Sequence, residues 1–144
     1  MRYVVFILSI FCFHSKATSY HEPSLEDLYE NADTVIKAKV LDADAIAFNG
    51  EVTKNTAIRT GLGYNHMIRI HIEPVRKIKS KYQVPKHVTV NLDPNRNLTL
   101  GTYRELVLNK SFIFFLVGED FQSVTPGFFM QLPDKEQALL KLAE

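Results

Sequence analysis

Residues 31–48 read NADTVIKAKVLDADAIAF, and the order of side chains along them decides the fold. Ile36, Ala38 and Val40 alternate with Lys37 and Lys39, the period of two that marks a half-buried strand. Beyond Leu41 the phase slips by one residue. Ala43, Ala45 and Ala47 become the apolar set, with Asp42 and Asp44 opposite. A one-residue slip inside a continuous strand is what a β-bulge produces, and bulges bend a strand around a small barrel.

Upstream, Pro23-Ser24-Leu25-Glu26-Asp27 reads as the start of a short helix. Ser24 is placed to cap the Asp27 amide, and the acids suit the positive end of the helix dipole. Leu25, Leu28 and Tyr29 fall at i, i+3 and i+4 and form its expected buried stripe. Before that helix comes a targeting segment. Arg2 precedes an 11-residue apolar run, YVVFILSIFCF at residues 3–13, and Ser15-Lys16-Ala17 supplies a small-x-small cleavage site. The run is shorter than the ~20 residues a transmembrane helix needs. The expected organisation is therefore a signal peptide, 1–17, and one mature domain, 18–144, that is secreted or periplasmic and has no transmembrane segment after cleavage. Cleavage would also remove Cys12, the only cysteine, and bring the formal charge from +1 to −1.

Downstream, residues 49–63 form a polar loop expected to be exposed and mobile, within which Gly61-Leu62-Gly63 reads as a turn. Ile68, Ile70 and Ile72 alternate with Arg69, His71 and Glu73 in a second strand, which Pro74 interrupts. Val88, Val90 and Leu92 mark a third strand, closed by a turn at Asp93-Pro94-Asn95. Residues 98–108 are compatible with a helical turn. Residues 112–117, FIFFLV, are apolar on both sides and predict the most buried strand. A fifth strand spans residues 123–131 with a break at Pro126-Gly127. Asp134 with Gln137 resembles a capping box opening a last helix that carries Leu139, Leu140 and Leu142. The pattern is mainly β: a five-stranded OB-type barrel with a short N-terminal and a C-terminal helix. A chain of 144 residues, 46% apolar and 23% charged, fits one such domain and is not the composition of a disordered protein.

Residues 31–40, NADTVIKAKV, followed by a strand of the IRIHIEPVRKIK type, resemble the netrin-like domain of tissue inhibitors of metalloproteinases. In that family a short helix runs into an N-A-D-x-V-I-x-A-K strand, as residues 31–39 do here. LNKSFIFFLVGED at residues 108–120 is similar to the family's later G-K-x-Y-L strand, and Leu132-Pro133-Asp134 to its end. The resemblance implies a five-stranded OB fold and inhibition of a zinc metalloprotease through a free N-terminus. With cleavage after Ala17, 13 residues precede Asn31, a spacing similar to the family's, and Thr18, Ser19 and Tyr20 occupy the inhibitory ridge. The departure is the cysteine count. The family's ridge begins with a cysteine and is stapled by disulfides, whereas residues 18–144 contain no cysteine. Ordering an unstapled ridge on binding costs free energy.

Other patterns carry less chemistry. His66 and His71 are five apart and face opposite sides of a strand, and His71 with Glu73 supplies two ligands where zinc takes three or four. His21-Glu22-Pro23 lacks the second histidine of the helical zinc motif. Asp42 and Asp44 share a strand face and read as solvated acids. No nucleophile elbow or serine–histidine pattern is present, no cofactor motif is present, and no enzyme activity is expected. Arg76, Lys77, Lys79, Lys81 and Lys86 form an acid-free basic run. It reads either as protection of a sheet edge or as a site for anionic polysaccharide or envelope material, with nucleic acid the least favoured polyanion. Asn97-Leu98-Thr99 and Asn109-Lys110-Ser111 are glycan acceptor triplets. Two functions stand side by side: an exported inhibitor of a metalloendopeptidase, and a non-inhibitory OB module that binds anionic glycan through the basic run.

Overall fold

The structure, a computed structural model, describes residues 22–61, 63–92, 97–125 and 129–144. In chain order its elements are helix α1 (Leu25–Asn31), strands β1 (Thr34–Ala47), β2 (Val52–Thr53), β3 (Arg59–Thr60), β4 (His66–Ser80), β5 (Val88–Leu92) and β6 (Leu98–Thr99), helix α2 (Leu100–Val107), strands β7 (Ser111–Val117), β8 (Gln122–Ser123) and β9 (Met130–Gln131), a 3-10 turn at Pro133–Lys135, and helix α3 (Glu136–Leu142). The protein is mainly β, a curled, barrel-like sheet with three helices. The signal segment, His21 and the turn at Asp93-Pro94-Asn95 lie outside the described residues, as do Leu62 and the break at Pro126-Gly127.

The sheet is ordered β5-β4-β1-β7-β8, with β2 on β1 and β9 on β7, and every pairing is antiparallel. Strand β1 is its axis. Its register with β4 shifts between Val40 and Asp42, where the phase slip falls, and again at Val35/Ile36 and Lys37/Ala38. These shifts let 14 residues coil. Strand β4 does not stop at Pro74 but runs on to Ser80, and Pro74 faces Ala38 beside the third shift. A strand tolerates proline where the ladder is already broken.

Two cores result. Inside the curl, Ile36, Val40, Ile70, Val90 and Phe114 belong to one buried cluster, closed at one end by Leu100, Tyr103 and Val107 of α2. On the outside of β1 and β7, Val35, Ile113 and Phe115 are covered by Leu28 and Ala32 from the α1 side and by Leu139 of α3. Strand β7 is therefore buried on both faces, as its unbroken apolar run predicts.

Two expectations are corrected. The loop 49–63 is tied down rather than free. Thr60 is fully buried, its hydroxyl donates to Leu98 O, β3 pairs with β6, and Gly101 N–H donates to Thr56 O. Helix α3 opens without the capping box, since Pro133 starts a 3-10 turn and no side chain caps the helix. Of its three leucines Leu139 alone is buried, and Leu142 is exposed.

Candidate functional site

Thr18, Ser19 and Tyr20 lie outside the described residues, and the element that follows them in the chain is α1. The capping box is complete: Asp27 N–H donates to Ser24 Oγ at 3.0 Å and Ser24 N–H to Asp27 Oδ2 at 3.2 Å. Leu28 and Ala32 pack into the outer core, with Leu25 and Tyr29 against its margin. A cleft of about 430 Å³ opens between α1 and the end of β7, lined by Pro23, Asp27, Asn31, Val117, Val124 and Thr125 among others. At the junction of α1 and β1, Asp33 Oδ2 accepts from Gly118 N–H at 2.9 Å and Oδ1 lies 3.6 Å from Lys81 Nζ. The Gly118 amide, helped by Lys81, holds the Asp33 carboxyl below its ordinary value.

The basic run does not form one patch. Arg76 reaches Glu136 of α3 at 3.1 Å, and Lys37 reaches the other oxygen of Glu136 at 2.7 Å. Lys37, with Arg76, keeps that carboxyl below its usual range. Lys79 Nζ donates to Tyr29 O at 2.8 Å and sits 4.7 Å from the centre of the Tyr29 ring. Lys81 joins Asp33 and lies 5.9 Å from the Tyr82 ring. Lys77 and Lys86 are exposed and show no ion pair among the described residues. Three of the five cations therefore hold helices or the α1–β1 junction.

A polar network on the outer face was not legible beforehand. The bulge at Leu41 brings Asp44 opposite Arg69 and Asp42 opposite His71. Arg69 grips Asp44 with two bonds, Nε–Oδ1 at 2.8 Å and a terminal nitrogen to Oδ2 at 3.0 Å. His71 Nε2 lies 2.9 Å from the same Oδ2, and its Nδ1 lies 3.1 Å from Thr89 Oγ1. Burial alone would raise the Asp44 pKa, but the bonds from Arg69 and His71 outweigh it and lower it. Asp44 is 3% exposed, so it is not the solvated acid its spacing suggested. Asp42 takes Lys54 at 2.5 Å and Arg104 of α2 at 2.6 Å, and Arg104 also donates to Ala43 O. Burial pushes Asp42 up and these partners pull it down further, to about 2.

Thr89, His71 and Asp44 line up as hydroxyl, imidazole and carboxylate. With the carboxylate held by two nitrogens of Arg69, the row links β1, β4 and β5. Asn91 Oδ1, on the strand position facing Arg69, is buried with no hydrogen-bond partner among the described residues. Among the described residues no group of three or more His, Cys, Asp or Glu side chains is placed to hold a metal.

The far end of β1 differs. Phe48 is 70% exposed and Val52 45%, beside half-buried Ile46 and Met67. Phe48 lines two shallow clefts with Asn65 and His66. No helix among the described residues is long and apolar enough to cross a membrane. The chain matches no known family model and no curated protein.

Proposed function

We propose that this chain is an exported, netrin-like OB module that binds a protein partner through its N-terminal arm, the partner being a zinc metalloendopeptidase. The observation that carries the reading is the construction of the arm's root. A capped helix, docked on β7 and pinned at Asp33, leads directly into the coiled strand that organises the sheet. The OB assignment draws support from the order β5-β4-β1-β7-β8, from β5 and β8 lying against one another without a ladder, and from α2 plugging one end. In this reading β8 and β9 are two pieces of the fifth strand.

The mechanism requires a free, neutral amine at Thr18. An α-amine has a pKa of about 7.7–8.0, so a useful fraction is uncharged near neutral pH and can ligate zinc. The Thr18 carbonyl is the second ligand, and the Ser19 side chain enters the adjacent specificity pocket. Catalytic zinc keeps a position open that such a group fills in place of water. The alternative, anionic glycan or envelope material bound through Arg76, Lys77, Lys79, Lys81 and Lys86, has less support, because of these five only Lys77 and Lys86 show neither an ion pair nor a hydrogen bond or ring contact among the described residues.

The test compares the protein starting at Thr18 with the same protein carrying one extra residue before it, against a panel of zinc endopeptidases. Inhibition by the first and none by the second, at equal thermal midpoints, is the expected result. Equal inhibition by both, or none by either, overturns it.

A further inference from the structure

Helix α1 has seven residues, fewer than the ~12–15 at which an isolated helix becomes marginally stable in water. Its position must come from what it touches. Leu28 and Ala32 hold it against Val35, Ile113, Phe115 and Leu139, but apolar burial is not directional and leaves the helix free to slide or turn. Directional contacts come from the end of β7, where Asp33 N–H donates to Leu116 O and Gly118 N–H to Asp33 Oδ2, and from β4 with Lys81 just past its end. Lys79 donates to Tyr29 O in the second half of α1 and covers the Tyr29 ring, and a cation there suits the negative end of the helix dipole. Two residues on, Lys81 N–H donates to Asp33 O at 2.9 Å while its ammonium faces the Asp33 carboxylate. Cys12 is the only cysteine in the 144 residues, so no disulfide between two of them performs this task.

We propose that Lys79 is a positioning residue: with Lys81 it clamps α1 to β4 in the place of a covalent staple, and so fixes the root of the N-terminal arm. The geometry stands by itself, and only the consequence for inhibition rests on the function proposed above. Two lysines of the run that reads as edge protection or as an anionic site then act inward, on the helix and its junction with β1.

Lys79→Met keeps the aliphatic stem and removes the donor and the charge, whereas Lys79→Arg keeps both. In the full chain, amide hydrogen exchange of α1 is expected to speed up about tenfold in Lys79→Met. The core amides of Ile36, Ile70 and Phe114 keep their protection, and Lys79→Arg restores α1. Unchanged exchange in α1, or equal loss of protection across the core, overturns the clamp. Against an endopeptidase that the native protein inhibits, Lys79→Met should dissociate faster, and equal dissociation with a loosened α1 overturns the link to the arm. If the native protein inhibits no member of the panel, the inhibitory reading fails while the exchange ratio still decides the clamp.

Discussion

Along the first half of β1, residues 34–40, the outer face is roofed. Val35 is fully buried beneath α1 and α3, and Lys37 reaches up to Glu136. Along the second half, past the bulge, the same outer face carries Asp42, Asp44 and Ile46 and ends at Phe48, 70% exposed. On the inside the halves are alike, since Ile36, Ala38 and Val40 before the bulge and Ala43 and Ala45 after it are all fully buried. One strand thus serves one core and two exteriors. The roofed exterior is stabilised by apolar contact and by charges that dock helices, the open one by cross-strand polar bonds. Under the function proposed above, a binding arm at the roofed end would start from an element held on several sides, which would lower the cost of ordering it.

The two halves share one inner core, and a charge placed there should have the largest effect. Ile70 is fully buried and faces Ala43 across the ladder and Val90 on the other side. Ile70→Asp places an unpaired charge in that core at a cost of several kcal/mol, against a total stability of ~5–15 kcal/mol. Both ends of β1 should unfold together, seen as loss of the cooperative thermal transition. A retained midpoint would mean that the inner faces are not one core.

Acid separates the exteriors less severely. Asp33 and Glu136 at the roofed end, and Asp42 and Asp44 at the open end, all have folded pKa values below their ordinary ones. For a lowered carboxyl the unfolded chain binds more protons than the folded one, so the stabilisation is present above about pH 4 and is lost as pH falls through the folded value. For Asp42 that value is about 2. Thermal midpoints should fall steadily from about pH 4 toward pH 2, and Asp42→Asn should lower the midpoint at pH 7 and flatten the fall. A midpoint that is level across this range would show that these carboxylates are not stabilised by folding.

How much of this was readable beforehand follows from how local each feature is. The phase of β1, the slip at Leu41, and strands β5 and β7 are carried by adjacent residues, because one buried face imposes its period directly on the chain. The partners of Lys79, Lys81, Arg76 and Asp44 are not, since Tyr29, Asp33, Glu136 and Arg69 meet them only once register and helix docking are set. The same limit made Asp44 read as solvated and left the basic run open between edge protection and an anionic-ligand site. Loop 49–63 read as mobile from its polar composition, but its ties run to Leu98 and Gly101, far along the chain. At α3 the cap pattern at Asp134 and Gln137 was local and still failed, because Pro133 starts a 3-10 turn that moves the first α-helical residue to Glu136.

The smallest effect is expected at the open end of β1. Phe48 N–H donates to Asn65 O, and Gly50, at φ +88°, turns the chain back toward Val52, so the backbone of the tip is held without help from the Phe48 ring. A ring that remains 70% exposed gains little from folding, since burial contributes in proportion to the area removed from water. Phe48→Ser should therefore change stability by no more than ~0.5 kcal/mol. Truncating a buried phenylalanine to alanine typically costs ~3–5 kcal/mol. Urea unfolding measures this directly: the midpoint and the slope should both match the native protein. A loss of several kcal/mol would mean that the ring is buried in solution, and the two exteriors of β1 would then differ in chemistry but not in how firmly they are built.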